Sequence, residues 1–155
     1  MSKQKILIIA GSCGKNLELS EQVKSSLETM NEDVEILDLV SLKLPLYTPD
    51  EEKNGAPKKV STLIETLINT DAFVFVSPEY NGCIPPVLNN FIAWISVASK
   101  DFRACFSGKS AAIMSFSGSG STILPVMRLQ LAYMGLNVVG RQLLANYQKP
   151  AKKES

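Results

Sequence analysis

The sequence predicts an α/β domain, a parallel β-sheet with helices on both faces. Three observations point there. Short apolar runs rich in β-branched and aromatic residues, such as Lys5–Ala10 and Ala72–Val76, alternate strictly with segments whose apolar residues recur at helical spacing. These runs carry no polar alternation, as expected of strands buried on both faces. Small polar residues gather where the strands end, at Gly11-Ser12, Ser77-Pro78 and Ser117-Gly118.

Taken in order, Lys5–Ala10 is the first strand, and Leu17, Leu19, Val23, Leu27 and Met30 mark the helix after it. Val34–Leu39 is the second strand, followed by a long loop through Leu44-Pro45-Leu46-Tyr47 to Pro57. Val60, Leu63, Ile64, Leu67 and Ile68 form the next helical stripe, and Ala72–Val76 the third strand. Pro85-Pro86 then starts a helix carrying Leu88, Phe91, Ile92, Trp94 and Ile95. Ser110–Phe116 is the fourth strand, and a helix from about Thr122 to Met134 closes at Gly135. Val138–Arg141 is the fifth strand, with Gln142–Tyr147 a short ending. Right-handed crossovers leave few topologies for five parallel strands. The flavodoxin-like three-layer αβα arrangement, order 2-1-3-4-5, fits. Residues 1–155 read as one such domain, with 149–155 a frayed basic tail.

Composition bounds the function. Formal net charge is +1, which offers no broad basic field for nucleic acid and no strongly acidic docking face. No apolar run approaches the roughly 18 residues of a membrane span. Three cysteines without a framework suggest a reducing compartment, and the cytoplasm is the expected location. Histidine is absent, which removes Ser-His-Asp and Cys-His catalysis and most catalytic zinc sites. Chemistry must then come from carboxylates, hydroxyls, amides, thiols or a bound cofactor.

In the order 2-1-3-4-5 the first, third and fourth strands are neighbours, so their exit loops share one edge. The first loop, Gly11–Asn16, suits a phosphate: backbone N–H groups at a helix start, hydroxyls of Ser12 and Ser20, the Asn16 amide and the Lys15 charge. It also reads as an ordinary Gly-Ser turn. The second loop, Pro78-Glu79-Tyr80-Asn81-Gly82, suits a flat aromatic ligand: glycine permits close approach, Asn81 offers hydrogen bonds and Tyr80 a ring. The third loop, Ser117–Gly120, is rich in donors. Cys13 and Cys83 lie on two of these loops, as reactive thiols or as small fillers. Without a histidine or basic cluster beside them the filler reading is favoured. Gly118-Ser119-Gly120 lacks the third glycine of a dinucleotide fingerprint, and Gly108-Lys109-Ser110 lacks the first glycine and the following helix of a P-loop.

Pro78-Glu79-Tyr80-Asn81-Gly82-Cys83-Ile84-Pro85, with Leu88-Asn89-Asn90 and Trp94, resembles the NADPH-dependent FMN reductase family of flavodoxin-like flavoproteins. Gly11-Ser12, Asp38-Leu39, Leu44-Pro45-Leu46-Tyr47 and Met127-Arg128 extend the resemblance over nearly the whole chain. The resemblance implies FMN as cofactor and NADPH or NADH as co-substrate. It implies a small acceptor (flavin, quinone, azo compound or metal oxyanion) and a homodimer or homotetramer. It places the FMN phosphate at Ser12 and the turn from Asn16 to Ser20, and the isoalloxazine along Pro78, Glu79, Tyr80, Asn81 and Gly82, with Ser117 and Gly118 beside it. No protein acid or base and no metal ligand is implied, since the cofactor carries the chemistry. The chain departs from the family pattern at Gly14, where an arginine is usual, and at Leu17, where a serine is usual, leaving Lys15 as the substitute cation. Asn89 and Ala93 replace a lysine and an aspartate, which bears on the subunit interface. The competing expectations are a flavodoxin-like electron carrier, which the +1 charge disfavours, and a flavin-free scaffold of the same fold.

Overall fold

A computed structural model describes residues 3–118 and 121–152. Ser119 and Gly120 of the third loop, and residues 153–155 of the basic tail, lie outside the described residues. The elements run β1 (Lys5–Ala10), α1 (Lys15–Thr29), β2 (Asp33–Asp38), α2 (Leu39–Leu42), α3 (Pro49–Lys53), α4 (Lys58–Ile68), β3 (Ala72–Val76) and α5 (Pro86–Ala98). A 3₁₀ turn at Phe102–Cys105 precedes β4 (Ser110–Phe116), α6 (Ile123–Tyr133), β5 (Asn137–Val138) and β6 (Leu143–Ala145).

The sheet is parallel with order β2-β1-β3-β4-β5, as expected, and β6 also pairs with β4. Two differences from the sequence reading have clear causes. The single strand expected at 138–141 is two short ones: β5 pairs with the start of β4 at Ser110 and Ala111, and β6 with its end from Met114 to Phe116. Between them the Arg128 guanidinium holds the carbonyls of Val138, Val139 and Gly140 at 3.1, 2.9 and 3.4 Å, so these carbonyls face a side chain and not a strand. The long loop after β2 also contains α2 and α3. Asp38 caps the first through Val40 N–H and Ser41 N–H, and Thr48 caps the second ahead of Pro49.

Side-chain alternation divides each strand between two cores. Leu7, Ile9, Phe73, Phe75, Ala111 and Ile113 face the larger one, closed by α4, α5 and α6 around Trp94, Phe91 and Phe106. Ile8, Val34, Val74 and Val76 face the smaller one, covered by α1 through Leu19, Val23 and Leu27. On that side a hollow of about 620 Å³ remains between α1 and the β4–β6 face, with Ala151 and Lys152 among the residues lining it. Among the described residues no helix is long and apolar enough to cross a membrane.

Candidate active site

The carboxyl edge of the sheet is held by a staircase of hydrogen bonds, each carrying the ladder one rung past a strand's end. Gly11 N–H donates to Val76 O at 2.8 Å, Ser77 N–H to Met114 O at 3.1 Å, and Ser117 N–H to Ala145 O at 3.0 Å. The first, second and third exit loops therefore leave the sheet side by side. Gly11 packs directly on Ser77, joining the first loop to the second. Gly82 faces Thr122, whose Cγ2 would be 3.7 Å from a Cβ placed on the glycine, joining the second loop to the start of α6.

In the second loop Tyr80 and Cys83 exchange both backbone hydrogen bonds, at 2.9 Å each. Asn81 and Gly82 between them have φ of 50° and 78°. Two consecutive positive φ values within a two-residue connection, filled by Asn-Gly, are what a type I′ turn requires. The pair thus has a backbone role that the ring-approach reading does not include, although the Asn-Gly signal is plain in the sequence. Tyr80 stands half exposed at 52%. Glu79 is partly buried, and its Oε2 is fully enclosed without a hydrogen-bond partner among the described residues.

The first loop differs from the sequence expectation at two residues. Asn16 is only 4% exposed; its Nδ2 donates to Phe116 O at 3.0 Å, and its Oδ1 accepts from Phe116 N–H at 2.8 Å. Ser20 is fully buried, and its hydroxyl donates to Asn16 O one turn back at 2.9 Å. Neither side chain is turned outward to a phosphate, because each completes a buried backbone partner. Ser12 is partly exposed, and its Oγ donates to the Cys13 carbonyl at 3.0 Å. Lys15 is exposed and pairs with Glu18 at 2.6 Å; the hydrogen bond to Glu18 raises its pKa above the usual 10.5.

What the loop does present is backbone. Gly14, at φ 71°, precedes α1 without a side-chain cap, and a Cβ there would meet nothing. The N–H groups of Lys15, Asn16 and Leu17 find no acceptor among the described residues, and the helix behind them is 15 residues long. Such a terminus attracts an anion through its bare donors and its dipole.

Of the remaining expected residues, Ser117 is 7% exposed and continues directly from β4, with Gly118 exposed after it. Sequence reasoning missed Asn146 and Tyr147, which line a hollow of about 190 Å³ together with Lys15, Glu18 and Phe116. The Tyr147 ring stands edge-on to Phe116 at 5.1 Å. No local signal marks them, since they follow the last strand and reach the first loop only through the fold.

A family model described as NADPH-dependent FMN reductase matches residues 4–149. An uncharacterized protein of Mycoplasma pneumoniae is 28% identical over 151 residues, which cover 94% of this chain and 89% of that one. An NAD(P)H-dependent FMN reductase of Pseudomonas aeruginosa is 35% identical over 115 residues, covering 73% of this chain and 60% of that protein. Among solved structures the flavoenzyme FerB, an NAD(P)H:acceptor oxidoreductase of Paracoccus denitrificans, superposes with a TM-score of 0.75 at 22% identity. The match covers 88% of this chain and 75% of FerB, and it shows the shared fold.

Proposed function

The chain belongs to the NADPH-dependent FMN reductase family, an FMN-using class of NAD(P)H oxidoreductases, and we propose that the three exit loops hold the flavin in the orientation described below. The observation that carries this reading is the pairing, on one sheet edge, of an anion-ready helix start with a rigid aromatic-bearing turn.

The residues present fit FMN. The bare N–H groups of Lys15, Asn16 and Leu17 suit the phosphate, and the exposed Lys15 ammonium, paired with Glu18, stands on the same turn. The Asn81-Gly82 turn and the adjoining backbone suit the flat ring, with Ser117 and Gly118 along its edge. The enclosed, partnerless Glu79 Oε2 is an acceptor that a ring N–H would satisfy. FMN, when bound, supplies the hydride chemistry between reduced nicotinamide and a small acceptor. The chain's own part is to hold the ring against the 80–83 turn, to anchor the phosphate by backbone donors, and to leave the Tyr80 side open to exchanging partners. No side-chain acid or base is required, in keeping with a sequence that lacks histidine.

The acceptor class is a flavin, quinone, azo compound or metal oxyanion, and the protein acts in the cytoplasm without nucleic acid or membrane partners. A homodimer or homotetramer is supported by Leu129 and Tyr133, one turn apart on α6 and 75% and 78% exposed. Light scattering that gives the mass of one chain would remove that part.

Titration of the purified protein with FMN, followed by quenching of flavin fluorescence, tests the central claim. Saturable binding at micromolar FMN, followed by bleaching of the bound flavin on rapid mixing with NADPH or NADH, is the expected result. No binding overturns the proposal, and binding without reduction by either nicotinamide favours the carrier alternative.

A further inference from the structure

We propose that Asn16 is a positioning residue that sets the phosphate-facing start of α1 against the end of β4 without touching the cofactor. The inference rests on the flavin-binding reading above and deepens it.

β3 stops pairing with β4 at Val76 and Met114, and Ser77 N–H makes the last contact to the Met114 carbonyl. Phe116, two residues on, has outrun that neighbour. The Asn16 side chain takes its place: a planar amide offers one donor and one acceptor, as a peptide group does, and it closes both hydrogen bonds with the Phe116 backbone. The link spans 100 residues of sequence and is part-buried, with Asn16 itself 4% exposed. Asn16 also sits in the first turn of α1, among the three N–H groups available to an anion, while Ser117 and Gly118 follow Phe116 directly. One side chain therefore sets the spacing between the anion-ready helix start and the third loop. Leucine or alanine would leave the part-buried Phe116 N–H and carbonyl without this partner, and an aspartate would lack the donor. The Asn81-Gly82 turn is closed by its own pair of hydrogen bonds and does not depend on Asn16. A displaced α1 start would therefore weaken the hold on the phosphate far more than the hold on the ring.

The test compares FMN with riboflavin, which has the ring but no phosphate, on the full chain. The wild-type protein should prefer FMN. In Asn16→Ala the Kd for FMN should rise about tenfold, and that for riboflavin by less than about twofold. Val23→Ala, two turns along the same helix, loosens packing without touching the link and should leave the FMN-to-riboflavin ratio unchanged. An unchanged ratio in Asn16→Ala overturns the inference, as does a wild-type protein that binds both flavins equally, although that result leaves the flavin reading intact. Should Asn16→Ala not fold, hydrogen exchange on the wild-type protein decides: FMN should slow exchange of the Phe116 amide more than riboflavin does, and equal protection refutes the role. Wild-type protein that binds neither flavin removes the underlying reading and this inference with it.

Discussion

Gly11 and Ser77 are packed so tightly that a Cβ on the glycine would lie 2.8 Å from the serine Oγ and 3.3 Å from its Cβ, with Pro85 Cγ at 3.4 Å. This is where the first exit loop crosses the second, and only a bare α-carbon fits. Gly11→Ala should destabilise the fold by about 1–3 kcal/mol through overpacking at a fully enclosed position. Ser77→Ala removes the atom in closest conflict. Its hydroxyl makes only a long 3.4 Å hydrogen bond to the Pro78 carbonyl, so the double variant should recover part of the loss. Urea unfolding of the two single variants and the pair checks this, and a strictly additive double variant contradicts it.

Arg128 supports the break in the last strand position. Its guanidinium meets the carbonyls of Val138, Val139 and Gly140 and the Gln142 Oε1 in one fan of contacts. Arg128→Ala should cost about 2 kcal/mol, since charge-assisted hydrogen bonds are lost and the carbonyls between β5 and β6 lose their donor. Arg128→Lys should recover little, because a single ammonium cannot reproduce the planar fork. Faster hydrogen exchange confined to residues near 138–145, alongside the lower stability, is the expected signature. Wild-type behaviour in either variant contradicts it.

The same region shows what was and was not legible in the sequence. The four main strands announce themselves because each is an apolar run between helical stripes, and handed crossovers then dictate their order. Val138–Arg141 reads as strand for the same reason, yet the strand stops at Val138, where Arg128 claims the carbonyls of Val138, Val139 and Gly140, a contact that spacing along the chain does not reveal. The first loop repeats the lesson. Asn16 and Ser20 are residue types that suit a phosphate, but the end of β4 lies beside α1 and takes the amide, and the helix's own backbone takes the hydroxyl. Local chemistry was readable in the chain; which partner claims a polar group depends on what the fold brings next to it.

The Asn81-Gly82 turn makes a graded prediction. With φ of 78° at Gly82, a β-branched residue is strained whatever the space around it, and the nearest atom to a new Cβ, Thr122 Cγ2 at 3.7 Å, is at ordinary contact distance. The penalty is therefore one of backbone conformation. Gly82→Val should open the turn, cost about 1–3 kcal/mol and weaken FMN binding. Gly82→Asn should cost less, because asparagine tolerates left-handed backbone. Thermal unfolding and flavin titration rank the two variants, and equal losses in both would show that side-chain volume matters more than the turn.

Alkaline pH should act through Cys105. Its side chain is fully buried at the 3₁₀ turn, and burial pushes the thiol above its ordinary 9.0. Above that value the unfolded chain releases the proton while the native chain keeps it, so the native state binds more protons. The thiol's contribution is thus complete below 9.0 and is lost as pH rises through the folded pKa. Lys109 opposes this: burial lowers its pKa from 10.5, so the native ammonium deprotonates first and stability gains between its folded value and 10.5. Cys105→Ala removes the first effect and keeps the burial of Lys109, which also loses the thiolate that partly offsets its shift. The stability difference between wild type and this variant should therefore shrink as pH climbs above 9.0, read by urea unfolding across the range. A difference that stays constant would exclude Cys105 as the cause. The same burial predicts that an aromatic disulfide reagent labels the exposed Cys13 and Cys83 quickly and reaches Cys105 only on unfolding.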